Sequence, residues 1–72
     1  MTEDDIRNAR DLVDNLRAHA GRYSDRAIER MALGYEKESA YFVKEAISLA
    51  EIIHDLEEWL DEEERKNERT GN

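Results

Sequence analysis

The 72-residue chain contains no proline and only three glycines, at positions 21, 34 and 71. Proline and glycine are the residues that end helices and turn chains, so a chain this poor in both must travel in long helices. Only Gly21 and Gly34 lie far enough from the ends to mark an internal turn. Which of them is used decides the fold.

The first helix is well marked. Thr2 followed by Glu3, Asp4 and Asp5 is a strong start, because a threonine hydroxyl can satisfy an orphaned backbone N–H and three carboxylates sit at the positive end of the helix dipole. Ile6, Ala9, Val13, Leu16, Ala20 and Tyr23 recur at alternating spacings of three and four, and Leu12 widens one edge of the stripe. Gly21 can adopt the left-handed conformation that caps a helix, and Ser24-Asp25 reads as the next N-cap. Helix 1 is therefore predicted over about residues 3–20 and helix 2 over about 25–66. Gly34 falls inside helix 2, at a cost of about 1 kcal/mol relative to alanine. Phase supports that placement: Ile28, Met31 and Tyr35 stay in register with Phe42, Leu49, Ile53, Leu56 and Leu60 at about 100° per residue. The acid-first pairs Asp61/Arg65 and Glu62/Lys66 carry the helix to about residue 66, and residues 67–72 are expected to fray.

The expected fold is all-α: an antiparallel helical hairpin with a short first and a long second helix, forming one domain over residues 1–66. Helix 1 then reaches only the first half of helix 2. Phe42, Val43, Ile47, Leu49, Ile53, Leu56, Trp59 and Leu60 become a candidate interface, since leaving large apolar side chains wet forfeits about 1.5 to 3 kcal/mol each. An antiparallel homodimer of the long helices, making a four-helix bundle, satisfies them. It also brings Arg26 and Arg30 of one chain near Glu62, Glu63 and Glu64 of the other. A different protein offering its own apolar helix is the competing occupant.

Composition narrows the chemistry. Without cysteine there are no disulfides and no thiolate metal ligands. No apolar run approaches the roughly 18 residues of a membrane span, and the acidic start is unlike a signal peptide, so a soluble, cytoplasmic protein without membrane contact is expected. The net charge of −8 repels nucleic-acid backbones and attracts basic surfaces. No catalytic triad, glycine-rich phosphate loop or Cys/His metal spacing is present, and no cofactor is implied.

Four constellations remain. Glu51 and His54 form a Glu-x-x-His pair of the kind that supplies ligands in di-iron helical bundles, but they sit on the flank opposite Leu49, Leu56 and Leu60. Glu38 and Glu45 project close to the apolar stripe and need partners, for which Arg10 and Arg17 are candidates, Arg10 being the nearer to Glu38. Arg17, Arg22, Arg26 and Arg30, with His19 and Tyr23, cluster near the expected turn and could contact phosphate, a reading the overall charge disfavours. Glu57, Glu58, Asp61, Glu62, Glu63, Glu64 and Glu68 form an acidic ridge suited to a basic protein surface, including one that normally holds nucleic acid. Trp59 and Tyr41 are displaced to one side of the main stripe, as interface anchors would be.

The leading expectation is a small acidic, non-enzymatic protein–protein interaction module: an adaptor, inhibitor or regulator of a basic partner. The alternatives are a metal-binding ferritin-like bundle using Glu51 and His54, acting as an oxidoreductase, and nucleic-acid binding through the turn arginines.

Overall fold

The computed structural model describes residues 1–70, with side chains to residue 68. Among these residues there are two helices and no strand: α1, Glu3–Ala32, and α2, Glu36–Thr70. The all-α hairpin is as expected; the place where it turns is not.

α1 begins as its sequence indicates. The Thr2 hydroxyl accepts from the Asp5 backbone N–H, and the Thr2 backbone N–H donates to the Asp5 carboxylate, each at 3.1 Å. This capping box satisfies donors that the helix itself leaves unpaired. The helix does not stop at Gly21. It runs through that residue and ends at Ala32, with Leu33 as the cap and Gly34 following at a φ of +85°. The Tyr35 backbone N–H donates to the Arg30 carbonyl at 2.8 Å, and that of Gly34 to the Met31 carbonyl at 3.1 Å. These two bonds are a Schellman termination, with Leu33 as the cap and Gly34 as the left-handed residue after it.

The boundaries of 3–20 and 25–66 are therefore corrected: the hairpin has helices of 30 and 35 residues, not a short arm and a long one. Two features of the chain account for this. The α1 stripe does not end at Tyr23 but continues at the same spacing to Ala27, which is buried. Ala27 is small enough to be overlooked as a core residue. The phase match of Ile28 and Met31 with α2 is coincidental, since both are exposed and Ile28 keeps 70% of its surface. At the other end, α2 continues to Thr70, so 67–70 is helix and not a frayed tail. Residues 71–72 lie outside the described part of the chain.

With arms of similar length, α1 covers α2 along nearly its whole extent. Ile6 and Val13 of α1 and Ile53 and Leu60 of α2 form the buried core, flanked by Ala9, Leu16, Ala20 and Leu56. On α2 the inward residues are Ser39, Phe42, Ala46, Leu49, Ile53, Leu56 and Leu60, an unbroken three-four alternation, all buried or half-buried. Near the turn the two helices approach through small residues. Ser39 is buried and its hydroxyl donates to the Ala27 carbonyl at 2.8 Å. One step further out, Tyr23 stacks on Phe42 with ring centroids 6.1 Å apart.

The second half of α2 thus has an intrachain partner, which overturns the argument that required another chain to cover it. Leu60 is fully buried within the hairpin, and Ile53 nearly so. These two belong to the core and not to an external interface. Phe42, Leu49 and Leu56 are half-buried, and only Val43, Ile47 and Trp59 of the expected interface are exposed.

The result is a rod of 57 × 15 × 11 Å with a radius of gyration of 16.5 Å. A compact domain of this length would have a radius near 11 Å. One helix lies beside one helix, with nothing above or below, so each helix has flanks that the other cannot reach. No described helix is long and apolar enough to cross a membrane.

Candidate interaction faces

Because the hairpin is one layer thick, its two broad sides are the candidate surfaces, and helical phase assigns residues to each.

One side is apolar at the turn end and charged at the other. Met31 of α1 with Ala40, Val43 and Ile47 of α2 line a shallow groove of about 460 Å³, rimmed by Glu36 and Lys44. Toward the chain termini the same side carries ion pairs between the helices. Arg17 pairs with Glu57. Arg10 reaches Asp61 at 2.8 Å and Glu64 at 2.9 Å. Hydrogen bonds to Asp61 and then Glu64 raise the Arg10 pKa above its usual value, since both favour the charged guanidinium.

These pairs correct two expectations. Arg10 is not the partner of Glu38: moving the turn from residues 21–24 to 33–35 places Arg10 opposite residues 61–64, and Glu38 pairs with Arg30, Nε to Oε2, at 3.1 Å. The acidic ridge is also not a free surface. Glu57, Asp61 and Glu64 are taken by Arg17 and Arg10, Glu63 lies 3.5 Å from Lys66, and Glu58 lies 3.5 Å from His54. Glu62 remains directed to solvent.

The other side runs the full length of the rod. Tyr41, Ile52 and Trp59 fall within about 20° of one another on the α2 wheel. They retain 57%, 50% and 44% of their surface. Leu12, His19 and Arg26 share the adjoining flank of α1, and Leu12 is exposed as well. Contacts across the helices confirm that the two flanks adjoin. The Arg26 guanidinium sits 5.9 Å from the Phe42 ring centroid, and Arg30 reaches Glu38. Within α2, Tyr41 meets Phe42 edge-on at 5.4 Å.

The four arginines expected at the turn are instead spread along α1, because the turn lies beyond all of them at Leu33–Tyr35. Arg17 faces the grooved side and is neutralised there. Arg22 contacts the His19 ring nitrogen Nδ1 at 3.0 Å, Arg26 covers Phe42, and Arg30 pairs with Glu38 and Glu29. They do not form one phosphate-binding cluster.

Glu51 and His54 are exposed, and His54 turns to Glu58 one turn along, away from Glu51. Among the described residues no group of three His, Asp or Glu side chains could hold a metal ion. Ile52, an apolar residue that the sequence also leaves in need of a partner, lies on the Tyr41–Trp59 line, seven residues before Trp59. Comparison with known proteins found no family model that matches the chain, no characterised protein similar to it and no solved structure similar to its fold.

Proposed function

We propose that the chain is a small, non-enzymatic protein–protein interaction module that works by presenting the long Leu12–Tyr41–Ile52–Trp59 side of its hairpin to another helical protein surface. One observation carries this reading. The hairpin completes its own core, with Leu60 fully enclosed, and still leaves a tryptophan, a tyrosine and an isoleucine aligned and half exposed on one flank. Aligned aromatic and aliphatic residues of this kind are what interface anchors are made of, whereas singly scattered apolar residues need no explanation. The net charge of −8 favours a partner that brings a basic patch to this side. The acidic ridge contributes less to that preference than its composition suggests, because Arg10 and Arg17 engage three of its seven carboxylates. An adaptor or regulator docking through its apolar side fits better than a mimic of nucleic acid docking through its acidic end.

The test is photo-crosslinking in the native host with a benzophenone amino acid replacing Trp59 or Tyr41, and with the outward Asp14 as the comparison position. Cross-links to protein at Trp59 and Tyr41, and none at Asp14, support the module. No cross-linked protein at either face position overturns it.

A further inference from the structure

Resting on the reading above, we infer that the occupant of the Leu12–Tyr41–Ile52–Trp59 side is a second copy of the chain, related by a two-fold axis parallel to the helices, so that α1 of each copy lies on α2 of the other. Two charge pairs of this side close within the chain, Arg30 with Glu38 and Lys66 with Glu63. At mid-length that leaves Arg22 and Arg26 on α1 and Glu45 on α2. A two-fold axis along the rod exchanges the halves and sets these arginines on the partner's Glu45, twice. An axis across the rod sets α1 on α1 and α2 on α2, which keeps the arginines and Glu45 apart. The antiparallel pairing of the second helices, expected from the sequence, is that second arrangement.

Contacts inside the hairpin fix which residues would meet. Ala27 lies opposite Ser39, Tyr23 opposite Phe42, Arg17 opposite Glu57 and Arg10 opposite Asp61. Leu12 therefore stands level with Trp59, His19 with Ile52, and Arg22 and Arg26 bracket the level of Glu45. With the axis along the rod, Leu12 meets Trp59, the His19 ring meets Ile52, and the arginines meet the glutamate.

Glu45 supplies an independent reason. It is half-buried on the aromatic flank, and among the described residues it has no ion-pair partner. A partly desolvated carboxylate beside apolar surface calls for a cation, and the nearest supply on a second copy is Arg22 and Arg26. The footprint is also adequate. A side of 57 × 15 Å is on the order of 850 Å², about what each partner of a stable complex contributes. The grooved side is a poorer self-docking surface, because its apolar part covers only the turn end. The rest holds Arg10 and Arg17 pairs already satisfied within the chain, which would be desolvated without gaining new partners.

The test is sedimentation equilibrium of the full chain between 1 and 100 µM (on the order of the range that stable small dimers span), with helicity followed by circular dichroism. Wild-type protein is expected at twice the chain mass. Trp59→Glu and Ile52→Glu should weaken the dimer by on the order of 100-fold, since the symmetry counts each change twice, while Ile47→Glu on the grooved side should leave it intact. Arg26→Glu and Glu45→Arg should each weaken it about 10-fold, and the double variant should recover to within a few fold. Recovery supports α1 lying on α2 of the partner; failure to recover overturns that arrangement. Loss of the dimer in Ile47→Glu and not in Trp59→Glu overturns the choice of side. A helical monomer at 100 µM overturns self-association. If Trp59 then cross-links a different protein, the interaction module itself survives; if it cross-links nothing, both fail.

Discussion

The two internal glycines give the most direct test of where the chain turns. Gly34 has a φ of +85°, a region where an L side chain is strained by about 1 to 2 kcal/mol whatever space surrounds it. Gly21 sits in the interior of α1 with no atom within 4 Å of where a Cβ would be, so an added methyl group meets nothing and removes unfolded-chain entropy. Gly34→Ala should therefore destabilise by about 1 to 2 kcal/mol, and Gly21→Ala should stabilise by about 0.5 to 1 kcal/mol. For a domain of this size 1 kcal/mol moves the melting temperature by about 4 to 8 °C, so the two variants should differ by about 6 to 24 °C. The assay is thermal unfolding followed by circular dichroism at 222 nm, at one fixed protein concentration so that self-association does not enter the comparison. The signs are what matter. A turn at Gly21 would make Gly21→Ala the damaging change and Gly34→Ala the beneficial one, and that result would refute the hairpin described here.

Other substitutions probe the core and the charges. Leu60→Ala empties the most enclosed site and should cost about 2 to 5 kcal/mol, most of the stability of so small a domain, whereas Val43→Ala should stay within about 0.5 kcal/mol; urea unfolding of both tests the contrast. Arg10→Met removes a partly exposed guanidinium from Asp61 and Glu64 and should cost no more than about 1 kcal/mol, a loss that shrinks in molar salt; a salt-independent loss would mean that packing of the Arg10 stem dominates. The backbone hydrogen bond from Thr2, followed by the bond with its hydroxyl, holds the Asp5 carboxyl below its ordinary pKa of 3.8. Because the folded value is the lower one, the stabilisation is present above the ordinary value and is lost as pH falls through the folded one. Asp5→Asn should flatten the pH dependence of stability below about pH 4 while leaving the neutral-pH slope unchanged, as acid titrations of both proteins would register.

The helical class, the Thr2 start and the α1 stripe as far as Tyr23 were legible because each rests on local spacing and local capping. The turn was not, and the reason lies in particular residues. Ser24-Asp25 after Gly21 has the chemistry of a cap, and nothing in the composition says that it will be carried as two exposed helical residues. What outweighs it is the stripe continuing through Ala20, Tyr23 and Ala27 to meet Ser39 and Phe42, a tertiary gain invisible from either side of Gly21 alone. A turn at Gly21 in place of Gly34 shifts every cross-helix pairing, which is why the sequence alone points Arg10 toward Glu38 and not toward Asp61 and Glu64. The exposed flank fared better. Trp59 and Tyr41 stood off the main stripe by phase alone, and phase within one uninterrupted helix does not depend on where the chain turns.

The Schellman turn also sets the order in which the rod can assemble. Ala27 and Ser39 are only twelve residues apart, so bringing them together closes a short loop that the Gly34 termination has already bent into shape. Each later layer, from Tyr23 and Phe42 outward to Ile6 and Leu60, then adds contacts while closing little further loop, as successive teeth of a zipper do. Contacts far apart in sequence are thus reached through a succession of near ones, the arrangement that lets a long hairpin fold quickly. The Arg10 pairs with Asp61 and Glu64 come at the end of that succession and fasten the two free ends of the rod.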